Sequence, residues 1–161
     1  MNTIQLLTNV LEKERQDYID EFKKQGHSLS GKTENSFQVD VQEFGGVTVA
    51  RVFVSEVALY QNYGVKAEKI PFRLGRGAKS SKFIAGLIKF WQLRKGLTAK
   101  EALSAAIATA RKHKKEGMHT KNSLKFSQTG ERTNSLSNRF KTVEQQIDNG
   151  IDEIVIQNFL E

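Results

Sequence analysis

Residues 26–33 read GHSLSGKT, a string that satisfies the phosphate-loop pattern G-x-x-x-x-G-K-[ST] at every fixed position. In a working phosphate loop a buried strand runs into the glycines and a helix begins at the Lys-Ser/Thr. The first N–H groups of that helix then surround the phosphates together with the loop amides. Here the order is reversed. A charged amphipathic segment precedes Gly26 and a strand-like run follows Thr33. No apolar strand ending in Asp stands downstream in a βαβ setting to hold magnesium. The string therefore reads as a helix cap followed by a connector, with Lys32 and Thr33 as exposed turn residues, and no nucleotide or other cofactor is expected.

The remaining chemistry-bearing residues are weaker candidates. The histidines are His27, His113 and His119, and the last two lie six apart with Gly117 between them. A zinc-binding helix needs two histidines four apart on one face, so these read as surface histidines in a basic stretch and no metal is expected. Serines are plentiful, but none sits on a G-x-S-x-G elbow. Asp17 and Glu21 share a helical face that reads as solvated. Nothing in these patterns points to an enzyme.

Charge carries more information. The chain of 161 residues has a net charge of +7, unevenly spread. Residues 1–60 carry a net −3, residues 61–125 a net +13 and residues 126–161 a net −3. A block of this kind faces a polyanion or an electrostatically complementary partner, or else covers a solvated face. Phe72, Phe83, Phe90 and Trp91 are interleaved with these cations and could stack bases while the cations touch phosphates. Their helical spacing points instead to core positions, so a basic nucleic-acid-binding accessory protein is the alternative reading. The chain has no cysteine, which excludes disulfides and thiolate chemistry. Its longest apolar run, FIAGLI at 83–88, is far short of a membrane span, and no secretory signal is visible. The sequence reads as a soluble intracellular product with no membrane partner.

The elements that must position these residues follow from periodicity. Ile4, Leu7, Leu11, Tyr18 and Phe22 recur at helical steps and predict a helix over 2–25, capped at Gly26. From Phe37 the period falls to two. FQVDV, then Gly45-Gly46, then VTVARVFV predict a long β-hairpin. SEVALYQNYGV reads as a loop with a short helical turn. Residues 65–82 hold the one proline and six Lys/Arg without a clean period, and read as a mobile basic loop. Two helices follow, SKFIAGLIKFWQLRK and TAKEALSAAIATARKHKKEG, joined at Gly96. The second opens on a capping box, Thr98-x-x-Glu101, and its Ala106 and Ala110 imply close approach to a neighbour. Residues 118–134 are polar and turn-rich. A last helix is expected over 135–148, broken at Asn149-Gly150, and IDEIVIQNF reads as a terminal strand with a helix as its rival.

Taken in order, these elements resemble a family of tailed-phage neck and tail-completion proteins, minor tail components of the head–tail joint. LSGKTENSFQVDV is similar to that family's small-residue turn, which leads through a G-x-x-x-x-S step into its first long strand. VARVFVSEVALYQNYGV is similar to its second strand, tyrosine-rich bend and glycine. FWQLRKGLTAKEALSAAIATARKHKKEGMHTKNSLKFSQTG resembles the W-x-x-x-K-G … A-x-x-I-A-x-x-I-x-x-x-G-x-x-T region of variants from bacteroidete-infecting phages. The second isoleucine of that pattern is replaced by the polar stretch around His113. The likeness covers roughly residues 1–145.

The resemblance implies a single small α+β domain over residues 1–161. In it a long helix packs on an antiparallel sheet; with the elements read above, the N-terminal helix and the helical hairpin are expected on the β-hairpin, which the terminal segment joins if it is a strand and not a helix. It implies no catalytic residues. Such proteins assemble as rings, six- or twelve-fold, that close the filled capsid and receive the tail, so the expected location is the virion, after assembly in the host cytoplasm. The implied partners are copies of the chain itself, adjacent head-closure and tail proteins, and the DNA that passes through the joint. The implied contact regions are the basic loop 65–82 and the tip 118–134, both projecting from the core. Their candidate interface residues are Lys66, Lys69, Arg73, Arg76, Lys79, Lys82, Lys121 and Lys125.

Overall fold

In the computed structural model, which describes residues 2–73, 75 and 81–160 (side chains of 158–160 excepted), the amphipathic start of the chain forms helix α1, Thr3–Lys24. Asn2 and Gln5 cap it reciprocally, each side chain accepting from the other's backbone N–H. Its end is a Schellman turn: Gly26 N–H donates to Lys23 O and His27 N–H to Phe22 O, with Gly26 at φ +71°. Leu6, Leu7, Leu11, Tyr18, Ile19 and Phe22 line its buried face.

After a short 3-10 turn at Glu34–Ser36, the β-branched run forms β1 (Gln38–Phe44) and β2 (Val47–Phe53). The strands pair antiparallel from Gln38↔Phe53 to Phe44↔Val47. Gly45 and Gly46 both have positive φ, as a two-residue hairpin turn of type I′ requires. This two-stranded sheet packs against α1, and the architecture is α+β as expected.

Four expectations are corrected. The stretch after β2 is a helix proper, α2 (Glu56–Tyr63), whose buried face is Ala58 and Asn62, one turn apart. The small Ala58 lets α2 sit close to Tyr18, Ile19 and Phe37, which the exposed Tyr60 and Tyr63 did not suggest. The described part of the 65–82 loop does not project as a whole. Val65 and Met118 form an antiparallel bridge, and Ile70 and Phe72, on either side of Pro71, are buried against Ile84, Ala106 and Ala110. Arg76 and Lys79 lie outside the described residues.

The 118–134 tip also folds back. Its residues 121–126 form a 3-10 segment, and Gln128 N–H donates to Lys24 O at 2.8 Å. Arg132 donates to Gly26 O and to His27 Nδ1, and Thr133 O accepts from Gln25, which ties this stretch to the end of α1. Finally, the terminal strand does not form. After a 3-10 turn at Ser137–Arg139, helix α5 runs unbroken through Asn149-Gly150, Phe140–Leu160. Gly150 serves as a contact point there: a Cβ in its place would collide with the buried Leu6 side chain of α1.

The helical hairpin forms at the expected positions. It comprises α3 (Lys82–Lys95) and α4 (Ala99–Glu116). Gly96 lies between them in the left-handed conformation. The Thr98–Glu101 capping box is complete, and Ala102, Ala106 and Ala110 are fully buried against neighbouring elements.

Candidate functional site

The eight basic residues expected at an interface do not converge. Lys66, Lys69, Arg73, Lys82, Lys121 and Lys125 are all exposed, spread over three separate segments, and Arg76 and Lys79 lie outside the described residues. The 65–70 segment is held against α4 by Lys114, whose Nζ donates to Glu68 O at 3.3 Å and Ile70 O at 3.0 Å. Asp17 is not merely solvated. Its carboxylate accepts from Arg139 Nη2 at 2.6 Å, beside the fully buried Glu14, which takes Arg139 Nε at 2.7 Å and Nη2 at 2.9 Å.

A different set of residues does converge. Where the 3-10 segment 121–126 and the strap after it cross α3, a cavity of about 380 Å³ opens. Its apolar wall comes from Leu87, Phe90, Trp91, Met118 and Phe126. Phe90 and Trp91 meet edge to face at 5.4 Å between ring centres, and Trp91 Nε1 donates to Thr109 Oγ1 at 3.0 Å, which fixes its ring. Arg94, one turn after Phe90 on α3, lies over the Phe126 ring at 5.6 Å. Lys95, Lys112 and Arg132 complete the rim, and among the described lining residues there is no carboxylate.

Arg132 ties the strap to the end of α1 and to the 3-10 segment. It donates to Gly26 O at 3.3 Å, Ser123 O at 3.5 Å and His27 Nδ1 at 3.1 Å. Its Nε is buried with no partner among the described residues. Burial, and then the charge of Arg94, lower the pKa of its guanidinium. A smaller cavity of about 220 Å³ adjoins the first and shares Gln61, Phe90, Arg94 and Arg132 with it. The GHSLSGKT string forms the wall of this second chamber through Gly26, Ser28, Ser30 and Thr33. The string thus sits at the carboxyl end of α1; Thr33 opens only the three-residue 3-10 turn Glu34–Ser36, which runs into a strand, and no α-helix begins at the Lys-Thr. Glu34 also lines the smaller chamber; it is 7% exposed and its Oε1 has no partner among the described residues.

The histidines read as surface residues are half-buried here. His27 packs on Phe22 at 4.9 Å and on His119 at 5.0 Å, and His119 Nε2 meets Gln61 O at 3.2 Å. Burial, then the Arg132 charge, then His119 hold His27 down at about 3. Burial and Arg132 likewise hold His119 at about 4. Burial also lowers His113. All three are therefore neutral imidazoles near pH 7. Among the described residues no group of three or more His, Asp or Glu could hold a metal ion, and no described helix is long and apolar enough to cross a membrane.

The sequence contained a signal for this cleft: Phe90, Trp91 and Arg94 within five residues of α3. Their helical spacing pointed to core, and Trp91 does pack on the core cluster of α3 and α4. Arg132 had no local signal, since its partners Gly26 and His27 lie over a hundred residues away. Compared with known proteins, the chain matches no protein-family model, no curated protein and no solved structure.

Proposed function

We propose that this chain is a structural assembly protein, and specifically a ring-forming component of the tailed-phage head–tail joint that links the portal side to the tail. The observation that carries the assembly reading is the outward surface of α2, where Val57, Leu59, Tyr60 and Tyr63 are 51%, 41%, 55% and 68% exposed. Large apolar side chains collected on one eight-residue helix of a small chain mark a surface that another chain covers. Phe44 and Val47 at the hairpin tip, and Ile151, Val155 and Ile156 on α5, extend the same pattern. The resemblance of 29–41, 49–65 and 90–130 to neck and tail-completion proteins supplies the particular role.

A ring needs a heterologous interface, in which one surface of a subunit meets a different surface of its neighbour. Net +13 over 61–125 against net −3 at either end offers such a pair, and complementary charge contributes more to specificity than to affinity. Electron microscopy of the purified full chain tests this. Closed rings are expected, and Tyr60→Asp with Tyr63→Asp should leave monomers. A chain monomeric at all concentrations and carrying no place in a virion would overturn the reading. The second reading, a nucleic-acid-binding accessory protein, is supported by the 16 Lys and Arg of 61–125. It requires monomer affinity for DNA that falls steeply with salt.

A further inference from the structure

We infer that the cleft between α3 and the 121–132 strap is a binding site for an aromatic anion, with the chemistry of one nucleotide: a flat, polar-edged ring bearing a phosphate. The inference does not depend on ring assembly.

The cavity volume of about 380 Å³ falls in the range of small-molecule sites. Its lining is of two kinds. One is apolar, Trp91, Phe90, Leu87 and Met118, and offers aromatic side chains on which a flat ring can stack. Thr109 holds Trp91 in one orientation, so the ring loses little freedom when a ligand arrives. Around this wall stand Gln61, Thr120, Asn122 and Ser123, donors and acceptors that suit the polar edges of a nucleobase better than a bare aryl ring.

The other kind is cationic. Arg94, Lys95, Lys112 and Arg132 stand among these apolar residues, and the described lining contributes no acid to neutralise them. His119, His113 and His27 beside them add no charge near neutral pH. Two neighbouring guanidiniums, one with a buried Nε lacking a partner among the described residues, leave donors suited to a bidentate acceptor such as phosphate. Glu34 faces the smaller chamber beyond Arg94 and Arg132. Its carboxylate repels an anion from that chamber and leaves the aromatic side of the two arginines as the place for it.

Trp91 is the one tryptophan of the chain, so its fluorescence reports on this cleft alone. The experiment titrates the full chain with thymidine 5′-monophosphate, with thymidine and with a dT12 oligonucleotide at low salt. Saturable quenching by the monophosphate is expected, with thymidine binding at least tenfold more weakly and Arg94→Gln weakening the monophosphate at least tenfold. Lys112→Gln, in the α4 part of the lining, carries the same test should Arg94→Gln lose its helical circular dichroism. Tighter binding of dT12 per nucleotide identifies single-stranded DNA as the source, and tighter binding of the monophosphate a free nucleotide. The inference is overturned by the absence of saturable quenching at millimolar monophosphate, or by thymidine and the arginine variant binding as well as the monophosphate and the parent chain do.

Discussion

The chain builds two hydrophobic clusters in two different ways. The first joins Tyr18 and Ile19 of α1 to Phe37, Ala58 and Leu136, residues drawn from four separate stretches of the chain. The second gathers Ile70, Phe72, Ile84, Ala106 and Ala110, all five within one helical hairpin and the segment just before it. The second is local, and its close packing comes from alanines. The first is closed by polar side chains that reach across the chain. Asn62, fully buried, accepts from Leu136 N–H at 2.8 Å and donates to Ser137 Oγ at 2.8 Å. Gln25, also fully buried, donates to Thr133 O at 3.2 Å. The Glu14–Arg139 pair joins residues 125 apart in sequence. Polar closure gives the first cluster its register, and every such group becomes costly once its partner is lost.

That contrast breaks most sharply at Arg139. Arg139→Ala strands the fully buried Glu14 carboxylate and is expected to cost about 3–5 kcal/mol in denaturant unfolding. The double variant Glu14→Gln with Arg139→Met should recover most of that loss, because it removes both charges together. If Arg139→Ala costs less than about 1 kcal/mol, the pair behaves like a surface bridge and the polar closure is not what holds the first cluster.

The junction of the two halves comes next. Gly26 has φ +71° and a Cβ there would strike the Phe126 backbone carbonyl. Gly26→Ala is expected to cost about 2 kcal/mol or more, since the left-handed conformation alone costs a non-glycine residue about 1–2 kcal/mol. Amide exchange should then rise in 121–132 as well as at the end of α1. Exchange confined to α1 would mean that the strap is held independently.

The histidine pair at the same junction sets the acid limit. His27 and His119, held at about 3 and about 4 in the fold, titrate near 6.5 when unfolded. Below pH 6.5 the unfolded chain binds protons that the folded chain does not, so stability falls as pH falls, until pH drops through the folded values. The slope is at most about 1.4 kcal/mol per pH unit for each imidazole. Thermal melts from pH 7.5 to 4.5 should show it, and His27→Gln with His119→Gln should flatten it. An unchanged slope in the double variant would assign the acid response to other groups.

The smallest effect belongs to the local cluster. Thr98→Ala removes the cap of α4, where Thr98 Oγ1 accepts from Glu101 N–H, and should cost about 1 kcal/mol by chemical denaturation. Glu101 lies below its ordinary pKa because of the Thr98 hydroxyl and backbone N–H. The loss should leave the first cluster's amide protection unchanged.

The hairpin turn at Gly45-Gly46, the Gly26 cap, the capping box and the α3–α4 pair were all legible in the residues, because their causes lie within a few positions of each other. Tertiary contact decided the rest. IDEIVIQNF alternates well enough to read as a strand, yet no described strand lies beside it to pair with. Instead α1 presents Leu6, which meets Gly150 at close range, so the apparent breaker becomes the contact that lets α5 run on. Ile70 and Phe72 carry no period because an anchored loop needs only two side chains in the right holes. The cleft was the least legible, since Arg132 reaches it from a polar strap whose place depends on Gly26, more than a hundred residues earlier. By itself the sequence determined the local hydrogen bonds, the turns and the charge blocks. The tertiary structure decided which polar groups met one another, because buried donors and acceptors find partners by position in space and not by distance along the chain.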